Sequence, residues 1–178
     1  MTYNFASSYM IIGIAYEKLE KWDYAIDDYK FANDIFKKKS LFNKDDPICI
    51  SNIANAETGK LQWTQALVDF TYSSKLNPKY LAPVIGKALV QYQIGQEDES
   101  MASFQSLVLK YPDYSDGLAA LAVMYYTHGD LESARTSWED ALEQDSRYLD
   151  VDWVRDIRRW PPQLVKDFIV FRQGIADV

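Results

Sequence analysis

Histidine and cysteine are almost missing from this sequence, each occurring once, as His128 and Cys49. A lone cysteine forms no internal disulfide, so folding does not depend on an oxidising compartment, and Cys49 is expected to be a small buried apolar residue. The same scarcity leaves no nucleophile–base pair that can be placed in one pocket and no His/Cys spacing for a metal, and the scattered Asp and Glu do not form a calcium loop. The expectation is a chain with no catalytic residue, no cofactor and no metal. Positive charge is also short: 19 Lys and Arg against 26 Asp and Glu give a net charge of −7. That balance disfavours nucleic acid and anionic membrane surfaces, both of which need a basic footprint. Seven glycines and six prolines are too few for a low-complexity or disordered chain. No apolar run approaches the eighteen or more residues of a membrane-spanning helix, and the longest, Tyr9 to Tyr16, already fits a helix core. Periodic sequence begins almost at Met1, leaving no room for a signal or transit segment, although a removed presequence would look the same. The expected setting is a cytosol-like compartment.

What is present is apolar and aromatic: 48% hydrophobic residues and 15% aromatics in 178 residues suit a single ring-rich domain. The most regular stretch is Ser115 to Ser146. There Leu118, Leu121, Ala122 and Tyr125 form one face of a helix, Gly129 breaks it, and Ala134, Trp138 and Ala141 form one face of a second. This is the W-x2-L-G-x2-Y then A-x3-F spacing, with Leu118, Ala122 and Trp138 substituting, and it resembles a tetratricopeptide repeat. The resemblance implies an all-α, right-handed superhelical solenoid of helix hairpins, in which no hairpin can bury its apolar face without neighbours.

Further repeats are legible. Residues 6–39 carry Tyr9, Ile12, Gly13 and Tyr16, then Ala25, Tyr29 and Ala32, with Trp22 expected to cover the turn between the helices. Lys37, Lys38 and Lys39 suit the negative end of the second helix. Residues 40–46 do not fit the repeat and read as an insertion, a mobile loop or short helical extension that sets the first hairpin apart. Residues 47–80 carry Ile50, Ile53, Ala54, Ala66, Phe70, Ser73 and Pro78, with Trp63 placed as Trp22 is, but with Glu57 where an aromatic is usual and Gly59 two residues early. Residues 81–114 are degenerate, with Lys87, Gln91 and Ser100 at core positions, yet Pro78 to Pro112 and Gly95 to Gly129 are both steps of 34, the period of this family. With residues 115–148 this makes four hairpins.

Beyond Ser146, Leu149, Trp153 and Ile157 stand four apart and predict an amphipathic capping helix. Pro161 and Pro162 then start a last helix carrying Leu164, Val165, Phe168 and Phe171, so that 149–174 forms the cap of one domain spanning 1–178. The ending DVDWVRDIRRWPPQLVKDF is similar to the tails of some tetratricopeptide proteins of plastids and cyanobacteria, which leans the setting toward a plastid such as the chloroplast, or a cyanobacterium.

His128 reads as a turn residue, Gly86-Lys87 lacks the other glycine of a phosphate loop, and Asp27-Asp28 and Glu139-Asp140 read as solvated pairs. The resemblance implies a concave face lined by first helices: Met10 and Ile14; Ser51, Asn52 and Asn55; Ile85, Leu89 and Tyr92; Ala119, Val123 and Tyr126. Relatives that grip the acidic ends of chaperone tails use Lys, Arg and Asn there, whereas here the one cation, Lys18, is peripheral. An apolar, aromatic trough with two amides suits a protein or peptide segment with apolar side chains. The rival surface is a basic hook of Trp153, Arg155, Arg158, Arg159 and Trp160, in which Asp152 and Asp156 can absorb charge. The reading is a non-catalytic scaffold or assembly factor. Its alternatives are a permanent subunit of a larger complex, such as a photosynthetic one, and an enzyme regulator.

Overall fold

The computed structural model describes residues 2–176, with side chains from 5 to 175. Its elements are α1 (Thr2–Lys18), α2 (Trp22–Lys39), α3 (Pro47–Gly59), α4 (Trp63–Leu76), α5 (Ala82–Gln93), α6 (Glu97–Lys110), α7 (Ser115–Thr127), α8 (Leu131–Gln144), a 3-10 turn (Ser146–Leu149), α9 (Val151–Asp156) and α10 (Pro162–Ala176). No strand occurs among the described residues. The chain divides into two compact units, Met1–Val90 and Gln91–Val178, the division falling within α5.

A repeated turn carries the repeat register. Glu20, Leu61, Gly95 and Gly129 all have positive φ, between 55° and 81°. In each turn the next residue's N–H donates to the carbonyl five back: Lys21 to Tyr16, Gln62 to Glu57, Gln96 to Gln91 and Asp130 to Tyr125. This is the left-handed closure that satisfies the last carbonyls of a helix. Three of these positions are 34 apart, and Glu20 precedes Leu61 by 34 plus the seven residues of the insertion.

In unit 1 the first core joins Ala25, Ile26 and Tyr29 of α2 to Ile50, Ile53 and Ala56 of α3, with Met10, Tyr16, Trp22 and Leu76 against it. A second joins Ala54, Ala66, Phe70 and Val90. Close helix approach depends on missing side chains: a methyl at Gly13 would overlap the Tyr29 ring, and one at Gly86 the Phe70 ring. Trp22 reaches into the next hairpin. Its indole lies over Gly59, where a methyl would sit 2.7 Å away, so Gly59 serves ring packing while Leu61 takes the left-handed turn position.

The insertion does not set the first hairpin apart, because α2 packs directly on α3. Its second half is tied down. Asp45 accepts from Asn33 Nδ2 at 2.8 Å, Lys37 Nζ at 3.0 Å and the Tyr72 hydroxyl at 2.8 Å. The Asp46 N–H donates to Asn33 Oδ1 at 2.7 Å, and Asp46 caps α3 through the N–H groups of Ile48 and Cys49. These bonds to Asp45 hold its carboxyl below the ordinary carboxylate value against the opposing effect of burial.

In unit 2, Leu118, Leu121, Ala122, Ala134, Trp138 and Ala141 are buried as their spacing predicts, and Tyr125 is half-buried. The tail departs from expectation. The predicted continuous cap is broken into the 3-10 turn and the short α9, with Leu149 and Ile157 exposed and Tyr148, Val154 and Trp160 buried instead. Asp145 and Asp150 each cap the following turn with a side-chain oxygen, and Arg159 has a φ of 55°, so local caps reset the helical phase that simple spacing carries forward.

Candidate peptide-binding surface

Seven of the eleven trough residues lie in unit 1, on α1, α3 and α5. Ile14 is exposed, and Met10, Asn52, Asn55, Ile85 and Leu89 are half-buried. Met10 is anchored from beneath, its sulfur 3.3 Å from that of the fully buried Cys49. Burial, with Asp46 nearby, pushes the Cys49 thiol up, so it behaves as a small apolar residue. Lys18 is exposed at the end of α1, and Ser51 is buried in α3.

Unit 2 treats the corresponding positions differently. Tyr92 and Val123 are buried, and Tyr126 meets the edge of Phe171 with ring centroids 5.4 Å apart. The partner is α10, which packs along α7 and reaches back to the end of α5. The Tyr92 hydroxyl donates to Asp167 Oδ2 at 2.9 Å, the Gln163 side chain donates to the same oxygen at 2.9 Å, and the Gln163 N–H donates to Gln93 Oε1 at 2.9 Å. Leu164, Val165, Phe168 and Phe171 bury the apolar stripe of α10, and Gly174 sits against the Tyr126 hydroxyl with no room for a side chain. Tyr92, Val123 and Tyr126 therefore do not line an open trough. Periodicity reveals the apolar stripe on α10 but not the surface that receives it.

Residues 86–114 match the family model of the tetratricopeptide repeat. That match falls on the most degenerate repeat, and the four identical turns place the other three in register with it. The matched repeat and the recurring turns give the chain a tetratricopeptide-like fold. Among curated proteins, human superkiller complex protein 3 is 32% identical over 73 residues, which is 41% of this chain but only 5% of that protein's length. The Rap conjugation gene regulator of plasmid pLS20, solved in complex with the Phr peptide, superposes with a TM-score of 0.69 at 19% identity, covering 97% of this chain and 52% of that one. MamA from Desulfovibrio magneticus RS-1 gives 0.66 at 16% identity over 94% and 93% of the two chains. A tetratricopeptide repeat protein from Parabacteroides merdae gives 0.65 at 12% over 96% and 67%. At these identities the likeness is one of fold.

Of the basic hook, Arg155, Arg158 and Arg159 are exposed while Trp160 is not. Trp160 is buried and donates its Nε1–H to Asp116 Oδ1 at 3.2 Å. Arg158 donates its Nε–H to the same oxygen at 3.1 Å and pairs with the other, and the Tyr148 hydroxyl also donates to Asp116. Trp153 is half-buried, with the Arg147 and Arg158 guanidiniums 4.7 and 5.8 Å from its ring centroid. Arg155 pairs with Asp152 at 2.8 Å and Asp156 at 2.7 Å, and Arg159 is exposed. Asp116 is the residue that sequence reading missed. Its only signal was an acid at the start of a helix that is otherwise apolar along its length.

Other titratable groups have local roles. The ring of His128 bonds the Met124 carbonyl through Nδ1 at 2.7 Å, with Asp98 4.0 Å from Nε2, at the turn after α7. Glu57, buried where repeats usually place an aromatic, is pushed up to about 7 by burial and then by the neighbouring Asp69 carboxylate. The Gly86-Lys87 pair lies within α5, and no cluster of His, Cys, Asp and Glu suited to a metal occurs among the described residues.

Proposed function

We propose that the chain is a non-catalytic protein–protein interaction scaffold or assembly factor that holds a polypeptide segment on the apolar first-helix face of unit 1. The observation that carries this reading is the contrast between the units. Unit 2 seats its own aromatic helix on α7 and the end of α5, while unit 1 leaves Ile14, Ile85 and Leu89 at least partly open to solvent. The packing of α10 illustrates the chemistry such a face accepts: an amphipathic segment with aliphatic and aromatic residues and a few hydrogen bonds. The peptide complex of the Rap regulator, which shares the fold, supports a polypeptide ligand.

An acidic tail is a poor fit, since desolvating carboxylates requires paired cations and the face offers the amides of Asn52 and Asn55 with Lys18 at its edge. The amides suit the backbone of a bound segment instead. The test is recovery of partners from native extract by wild type and by a double variant, Ile85→Ser with Leu89→Ser. Loss of a partner from the folded variant supports the reading, and full retention refutes it. A permanent place in a larger complex is the second reading, favoured by the apolar residues that α1 and α2 leave exposed.

A further inference from the structure

The outward side of α1 and α2 is apolar and uncovered: Phe5 is 60% exposed, Ile12 44%, Tyr24 60% and Phe31 47%. Rings of the two helices meet in two places. Phe5, Tyr9 and Phe31 form a chain of rings with centroids 5.8 and 4.4 Å apart, and Tyr16 stacks on Tyr24 at 5.3 Å. Single exposed apolar residues are ordinary, but a joined patch marks an interaction surface.

The charges beside this patch indicate its occupant. At about 100° per residue, Tyr24, Asp27, Asp28, Phe31, Ile35 and Lys38 share one stripe of α2. The stripe is acidic in its first half, apolar at its centre and basic in its second. Turned end for end it complements itself: centred near residue 33, it sets Phe31 against Ile35 of a second copy and Asp28 against Lys38. Asp28 is half-buried on this stripe. Lys38 is exposed at the other end of the helix. A twofold interface requires one patch to fit itself, which this order of charges achieves and an all-acidic patch would not.

We propose that the outward face of α1 and α2 is a twofold interface between two copies of this chain, formed by the ring cluster and closed on each side by Asp28–Lys38 pairs. The interface uses α1 and α2, whereas Asn52, Asn55, Ile85 and Leu89 of the trough stand on α3 and α5, so it stands independently of the binding reading above.

Sedimentation velocity of the 178-residue chain over a concentration series tests it. The expected result is a monomer–dimer equilibrium that Phe31→Asp shifts to monomer with no loss of helical circular dichroism. Asp28→Lys or Lys38→Asp alone should raise the dissociation constant about tenfold at low salt, and the two together should restore it, because the exchanged charges pair again across the axis. The variant with Ile85→Ser and Leu89→Ser should dimerise normally, which separates failure here from failure of the trough. A chain that stays monomeric at every concentration, a dimer indifferent to Phe31→Asp, or a double exchange no better than the single changes would each overturn the proposal.

Discussion

Asp116 gathers three groups of the unit 2 tail, accepting from Tyr148, Arg158 and Trp160 while itself buried. Removing a buried charge partner leaves the remaining groups desolvated, so Asp116→Ala should cost about 3–5 kcal/mol in urea unfolding, and should cost more than Arg155→Ala on the exposed side of α9. Glu57 gives a pH signature. An acid whose folded value is raised stabilises the fold while protonated, below its unfolded value of about 4.3, and that contribution is lost as pH rises through about 7. Stability of wild type should therefore fall by on the order of 2 kcal/mol between pH 5 and 8 through this residue, and Glu57→Gln should remove that part of the slope. An unchanged slope in the Gln variant would mean that Asp69 and its neighbours carry the titration. Neither role was readable from spacing alone, because each depends on which distant helix supplies the partner.

At the scale of elements, the turn closures are the most legible feature and also hold a reserve of stability. Gly95 and Gly129 take the left-handed position without a side chain, whereas Leu61 and Glu20 take it with one. Leu61→Gly and Glu20→Gly should each stabilise by about 0.5–1 kcal/mol, read as a rise in thermal midpoint, since the left-handed strain exceeds the entropic cost of glycine. The 34-residue step, the small residues beneath large rings and the final helix after Pro161 were all carried by local sequence. The broken cap was not, because Asp145, Asp150 and the positive φ of Arg159 restart the helical phase twice within fifteen residues. The docking of α10 was half legible: its stripe was, its seat was not. Trp138 meets Phe168 and Phe171 edge-on at 5.8 and 5.3 Å, so Trp138→Ala should cost about 3–5 kcal/mol and lower hydrogen-exchange protection in α7, α8 and α10 before α1 and α2. A uniform loss across the chain would argue against nearest-neighbour stabilisation.

For the whole molecule, the repeat fold points to binding, and the unequal exposure of the two units directs attention to unit 1. Sequence reading named eleven trough residues; the four that unit 2 supplies face its own helix or core, Ser51 is buried, and the other six in unit 1 remain the candidate surface. The most direct test is the affinity of a captured partner segment for wild type and for the Ile85→Ser, Leu89→Ser variant, measured at low and high salt with an Arg158→Ser, Arg159→Ser variant in parallel. The account predicts at least about tenfold weaker binding in the trough variant, from the lost apolar burial, and little change with salt, since little of the contact is Coulombic. A trough variant that binds as wild type does, with the arginine variant failing to bind, would contradict it and move recognition to the carboxyl-terminal tail.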